Sequence, residues 1–195
     1  MIMNNHTADT AIRSSAMTTD HATVQTAPTG VADLGLLILR LGVGGATLQA
    51  GLIKALDFST TTQFLAEAGW RLPTVAAFMV TASETLGGIL LLLGALTPLA
   101  ACAVLSAMLC AWAVNVSGAA FWSEPFNVPF LIGLGAAALL LTGAGGYSLD
   151  RALLRRVNWS QRVLLALLGV AFVAAIVTWV ALYGINPIHF SAPPA

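Results

Sequence analysis

Charge is scarce in this chain. Its 195 residues hold 8 Lys and Arg and 8 Asp and Glu, or 8% charged against 58% hydrophobic, where soluble proteins average about 25% charged. That balance excludes a water-solvated fold and makes lipid the solvent for most of the chain. The formal net charge is zero and basic residues cluster only in one short stretch, so nucleic acid is excluded as a partner. Histidine is scarcer still: His6, His21 and His189 all fall in polar tails, which leaves no bis-histidine haem ligands within the apolar runs. The two cysteines, Cys102 and Cys110, lie eight residues apart in one apolar run, about 12 Å along a helix, too far to bond to each other. No CxxC pair occurs, which removes a thiol–disulfide relay. Flavin, metal and iron–sulfur ligand patterns are likewise missing.

What the chain does have is long apolar runs. Five match the roughly 30 Å of a bilayer's hydrocarbon core at about 1.5 Å per residue, at 31–53, 74–95, 98–117, 126–143 and 161–183. Residues 1–30 are rich in Thr, Ser, Ala and Asn without apolar period and read as a disordered tail. The tail has little positive charge and Arg40 interrupts the first run, so that run is expected to stay in the mature protein. Pro73 opens the second helix, Thr97-Pro98 supplies an N-cap and first-turn proline for the third, Asn158 caps the fifth and Asn186-Pro187 stops it. Pro125 and Pro129 stand at the start of the fourth, with a kink expected near Pro129. In the 54–73 connection, Thr62–Glu67 forms one or two interfacial turns or a bare loop.

Arg151, Arg155, Arg156 and Arg162 follow the fourth run, whereas the 54–73 loop holds only Lys54 and Arg71 and the 118–125 loop none. By the positive-inside rule this places the N-terminus in the cytoplasm and the C-terminus outside the plasma membrane. Trp70, Phe121, Trp122 and Tyr183 then fall at the outer interface, with Tyr147 and Trp159 at the inner one, as an aromatic belt.

Two charges lie well inside apolar runs, Arg40 and Glu84, each costing about 2.5–3.5 kcal/mol at mid-bilayer if unpaired. Arg40 is nine residues above Val31 and Glu84 eleven below Ala95, depths of about 14 and 16 Å on antiparallel neighbours. An Arg40–Glu84 pair is therefore expected. Asp33, Arg40, Thr47 and Lys54 recur every seven residues, with Gly44 and Gly51 near the same line. This polar, small-residue stripe should face the bundle interior, as should Thr81, Glu84 and Gly88 of the second helix. Three residues bear on ligand binding beside Arg40: Glu84, Lys54 and Glu124. Arg40 and Glu84 are either a strut fixing helix register or the polar end of a ligand or proton site, with Lys54 and Glu124 nearer its outer mouth. An arginine and a carboxylate at mid-depth suit a quinone, one donating to a carbonyl oxygen and the other passing a proton. Glu124 also suits plain stabilisation of a helix N-terminus, and Asp150 a turn or cap.

Taken in order, Leu39-Arg40-Leu41, Gly51 with Lys54, Phe64-Leu65-Ala66 through Gly69 to Leu72-Pro73, Glu84-Thr85-Leu86-Gly87-Gly88, Gly94 with Thr97, Glu124, then Gly143, Gly145 and Ser148-Leu149-Asp150 resemble the DoxX family of small bacterial membrane proteins, over about residues 34–151. The resemblance implies a four-helix membrane bundle associated with membrane-bound oxidoreductase assemblies, some quinone-linked, others joining a superoxide dismutase and a sulfurtransferase. The family often has a histidine where this chain has Gln49-Ala50-Gly51, and this chain adds a fifth helix.

The expectation is thus an all-α polytopic transmembrane bundle, a four-helix core plus a fifth C-terminal helix. Its parts are a tail at 1–30, a DoxX-like membrane domain at 31–151, and a basic loop, fifth span and outer tail at 152–195. The leading functional reading is an integral subunit of an oxidoreductase complex, not catalytic alone, offering a quinone pocket and a docking site for redox partners. A membrane scaffold recruiting soluble proteins is the first rival. A small transporter is third, because Ser106 and Thr178 are the few polar groups of the third and fifth runs and no inverted repeat is evident.

Overall fold

Apolar runs bounded by proline, glycine and capping side chains become helices, because in lipid a helix satisfies its own backbone polar groups. The computed structural model describes residues 29–118, 120–153, 159–188 and 190. The expectations for the 1–28 tail, for His6, His21 and His189, and for Arg155, Arg156 and Asn158 lie outside the described residues. Within them the order is α1 (Thr29–Leu56), α2 (Phe58–Glu67), α3 (Pro73–Leu93), α4 (Thr97–Ser117), α5 (Val128–Thr142), α6 (Leu149–Leu153) and α7 (Gln161–Leu182). Four of them, α1, α3, α4 and α7, are long and apolar enough to cross a membrane. The chain is an all-α, multi-pass membrane protein.

The boundaries revise several expectations. The run at 126–143 gives a helix of only 15 residues, about 22 Å and shorter than the hydrocarbon core. It starts later because Asn127, not Pro125, opens it: the Asn127 side chain accepts from Phe130 N at 3.2 Å. Pro129 then stands in the first turn, where it breaks no helical hydrogen bond. α4 begins at Thr97 rather than being capped by it; the N-cap is Leu96, a non-glycine residue at φ 49°, held there by contacts described below. α7 takes Ser160 as its cap, accepting from Val163 N at 3.4 Å, and ends at Leu182, before Asn186-Pro187, with Gly184 at φ 76°. The 54–73 connection contains a full helix, α2. Asp57 caps it, and hydrogen bonds from Thr60 and Ser59 hold that exposed carboxyl below its ordinary range.

α1 and α3 run antiparallel, as do α4 and α5, while α7 runs parallel to α4. Cys102 and Cys110 mark that last pair: their thiols donate to Leu167 O at 3.3 Å and Ala175 O at 3.6 Å. The polar stripe of α1 faces inward as expected, with Arg40, Gly44, Thr47 and Gly51 buried, and so does the Thr81–Glu84–Gly88 face of α3. Val31, Ile38, Leu52 and Ile53 of α1 point outward with most of α7's Val, Ile and Phe side chains, the natural arrangement where the surroundings are acyl chains.

Glycine sets the closeness of α1 and α3. A Cβ on Gly51 would stand 2.5 Å from Thr85 N, and one on Gly88 2.6 Å from Leu48 N, so two backbones occupy the space a side chain would need. Overpacking of this kind costs about 1–3 kcal/mol. Gly51→Ala is therefore expected to lower the melting temperature in detergent. Gly42→Ala, at a position with nothing within 4 Å, should be neutral or slightly stabilising, since alanine is the better helix former by about 1 kcal/mol. Equal melting temperatures for the two variants would contradict the close approach.

Candidate functional site

The intramembrane charges gather at two separate places. At the first, α3 ends at Leu93 and turns through Gly94 at φ 64°, where Gly94 N and Ala95 N donate to Leu91 O and Leu90 O but the last turn still has carbonyl acceptor capacity to fill. Arg40 fills it. Its Nε donates to Leu91 O at 3.0 Å, Nη2 to Leu92 O at 3.2 Å, and Nη1 to Ala144 O and Tyr147 O at 2.7 and 2.8 Å. A planar guanidinium can serve four carbonyls at once where a lysine could not, and a cation at a helix C-terminus is favoured by the backbone dipole. Asp150 locks the adjoining loop. Its carboxylate accepts from Leu96 N at 2.7 Å and Thr97 N at 2.9 Å, capping α4 from another element, while its own N–H donates to Gly94 O at 2.8 Å. Asp33 accepts from Gly146 N at 2.7 Å and pairs with Arg151 at 3.5 Å. Side chains at Gly94 or Gly146 would run into Arg40 and Asp33 respectively. Four of the five guanidinium N–H groups of Arg40 are thus committed to backbone carbonyls.

The expected Arg40–Glu84 pair does not form. Arg40 lies at the last turn of α3, so about eleven residues of α1 extend beyond it, whereas equal depths assumed that the two helices end level. The contacts of Gly44 with Gly88 and of Gly51 with Thr85 fix a register displaced by more than two turns. Glu84 instead meets Lys54, with Nζ 2.6 Å from Oε2.

That pair edges a cavity of about 260 Å³ formed by α1, α2, α3, α4, α7 and the 68–72 turn. The Glu84 side chain is 3% exposed and that of Lys54 29%, so the carboxylate is deep and the ammonium nearer the opening. The Lys54 ammonium also donates to Ala50 O at 3.3 Å, which leaves one of its three N–H groups for another acceptor; Glu84 binds Lys54 through Oε2, with Oε1 available. Phe64, Leu65, Met79, Val80, Ala107 and Val114 supply apolar wall, and Thr61, Ser83, Ser106, Asn115 and Thr178 a polar remainder. Sequence reasoning noted Ser106 and Thr178 as isolated polar groups and missed their convergence here. Their rarity in apolar helices was the available signal; which helix faces meet was not in the sequence. Glu124 is exposed and stands outside both the cavity and α5, three residues before its cap. Arg40 does not line the cavity either.

Between the two polar places the bundle is tight. There a Cβ on Gly87 would meet Val104 at 2.6 Å, and Gly88 packs on Leu48. Among the described residues no three His, Cys, Asp or Glu side chains group as metal ligands.

The chain's first four helices coincide with a recognised family unit. Residues 35–118 form a DoxX family domain. The match stops at the end of α4, short of the 34–151 span of the motif resemblance, although Asp150 and Tyr147 hydrogen-bond into the domain from outside it. Every residue lining the cavity belongs to the DoxX domain except Thr178 of α7. Neither a curated protein nor a solved structure matches the chain.

Proposed function

We propose that this DoxX protein is the membrane subunit of an oxidoreductase complex and that the Lys54–Glu84 cavity receives a quinone head group. The observation that carries this reading is the ion pair at the edge of a mostly apolar cavity, with one donor and one acceptor position still available. Ligand sites are mostly apolar with a few placed polar groups, commonly about 300–1,000 Å³; about 260 Å³ suits a single substituted ring whose tail stays in lipid. Lys54 would donate to a ring oxygen, and Glu84 would exchange a proton with it. Reduction to the quinol takes two electrons and two protons, and the electrons would come from a redox centre in a partner, since the chain's own residues offer none. By family resemblance the partners would include a sulfurtransferase or a superoxide dismutase. The cavity end would lie outside and the Arg40 end in the bacterial cytoplasm, supported by the arginines beyond α6. The tight waist at Gly87, Gly88 and Val104 speaks against a transport path.

The test is binding of a short-chain 1,4-benzoquinone to the protein in nanodiscs. Wild type should bind, and Glu84→Gln and Lys54→Met should weaken binding at least tenfold, because hydrogen bonds to charged groups contribute about 1.5–3 kcal/mol. Absence of binding to folded wild type would end the quinone reading and favour the scaffold.

A further inference from the structure

Four tryptophans stand at the cavity end of the bundle; Trp122 is exposed, and of the other three two have their indole N–H satisfied. Trp112 Nε1 donates to Pro125 O at 2.9 Å and Trp179 Nε1 to Ile185 O at 2.7 Å. Trp70 differs. It is 8% exposed, lines the cavity, and its indole nitrogen has no hydrogen-bond partner among the described residues. Its ring is not free to seek one. Tyr183 stacks on it at 5.2 Å and Trp179 meets it edge-on at 6.0 Å, while the flanking backbone is tied down by Trp70 N to Leu65 O at 3.0 Å and Arg71 N to Leu182 O at 2.8 Å. A buried donor left unpaired is costly, and native proteins retain few of them.

We infer that Trp70 is the second anchor of the cavity's ligand, its indole N–H donating to an oxygen other than the one held by Lys54 and Glu84. This rests on the reading of the cavity as a quinone site and makes it more specific. A mostly apolar site with two polar anchors selects rings oxygenated at two positions, the quinone and hydroquinone class, over rings with one oxygen. The discrimination arises because a mono-oxygenated ring leaves the Trp70 donor buried and unpaired, whereas a second oxygen accepts from it. Trp70 thus sets ligand class, while the ion pair supplies proton exchange.

The experiment compares hydroquinone with phenol, each carrying the same short alkyl tail, on the protein in nanodiscs. Wild type should prefer hydroquinone by about tenfold, the ratio expected for one hydrogen bond, and Trp70→Phe, which keeps an aromatic ring against Trp179 and Tyr183, should bring the two probes within about twofold. Indole ¹⁵N–¹H spectra of wild type supply a readout that needs no variant: the Trp70 resonance should move downfield with hydroquinone and much less with phenol. If hydroquinone binding depends on Lys54 and Glu84 but Trp70→Phe keeps the preference and the Trp70 resonance stays still, the Trp70 assignment is wrong and the cavity reading survives. If hydroquinone binding is insensitive to Lys54→Met and Glu84→Gln, or wild type binds neither probe, the cavity reading fails and this inference with it.

Discussion

Arg40→Met should remove most of the folded protein from detergent extracts. The substitution deletes four hydrogen bonds from a side chain that is 2% exposed, and Leu92, Ala144 and Tyr147 lose the guanidinium that their carbonyls accept from. Bonds to a charged donor contribute about 1.5–3 kcal/mol each, and an acceptor left unsatisfied in the interior costs about 1–3 kcal/mol. Even with partial relaxation a loss of at least about 4 kcal/mol is expected, a large share of a typical stability of about 5–15 kcal/mol. Arg40→Lys should fall between, because one ammonium cannot span carbonyls from two chain segments. Fluorescence-detected gel filtration after a heating series measures this. A monodisperse Arg40→Met protein melting near wild type would show that the carbonyls find other partners. Because Arg40 and Glu84 are apart, Arg40→Met and Glu84→Gln should also be additive in melting experiments.

Lys54→Met should be the second most damaging single change, through what it leaves behind. Glu84 would remain buried with no counter-charge, and breaking a buried pair from one side costs about 3–5 kcal/mol; the partial exposure of Lys54 puts the expectation toward the lower end. Adding Glu84→Gln to Lys54→Met should restore much of that loss, since a neutral amide against a methionine leaves no unpaired charge. A coupling of about 2 kcal/mol or more between the two sites is the expected result of the double-mutant cycle. Simple additivity would mean that the 2.6 Å contact contributes nothing to the fold. The restored double variant should still fail to bind quinone, which separates the pair's structural part from its ligand-binding part.

Much of the bundle was legible in the residues. The apolar runs located the helices, and the seven-residue recurrence of Arg40, Thr47 and Lys54 with Gly44 and Gly51 marked the buried face of α1. The expectation that Arg40 and Glu84 sit in the protein interior was also sound, because a charge in an apolar run must turn away from lipid. Their pairing was not legible. It depended on the relative height of two helices, and helix ends in sequence do not say where partners begin to touch. Glu124 was grouped with the others because it stands before an apolar run, yet Asn127 starts that helix and leaves Glu124 outside. Trp70 was read only as an interfacial aromatic. Whether an indole donor is satisfied depends on carbonyls far along the chain, as Pro125 and Ile185 show for Trp112 and Trp179.

The sequence by itself determined the solvent, the places of the apolar helices and the faces that α1 and α3 bury, since each follows from composition and from the helical period within a single segment. Only the tertiary structure decided which charges meet. The glycine contacts of Gly44 and Gly51 with α3 set a register that carries Arg40 to the end of α3 and Lys54 to Glu84. The parallel packing of α4 and α7 likewise brings Ser106, Asn115 and Thr178 to one cavity with Trp70. Register is a property of two surfaces in contact, and no single helix encodes it.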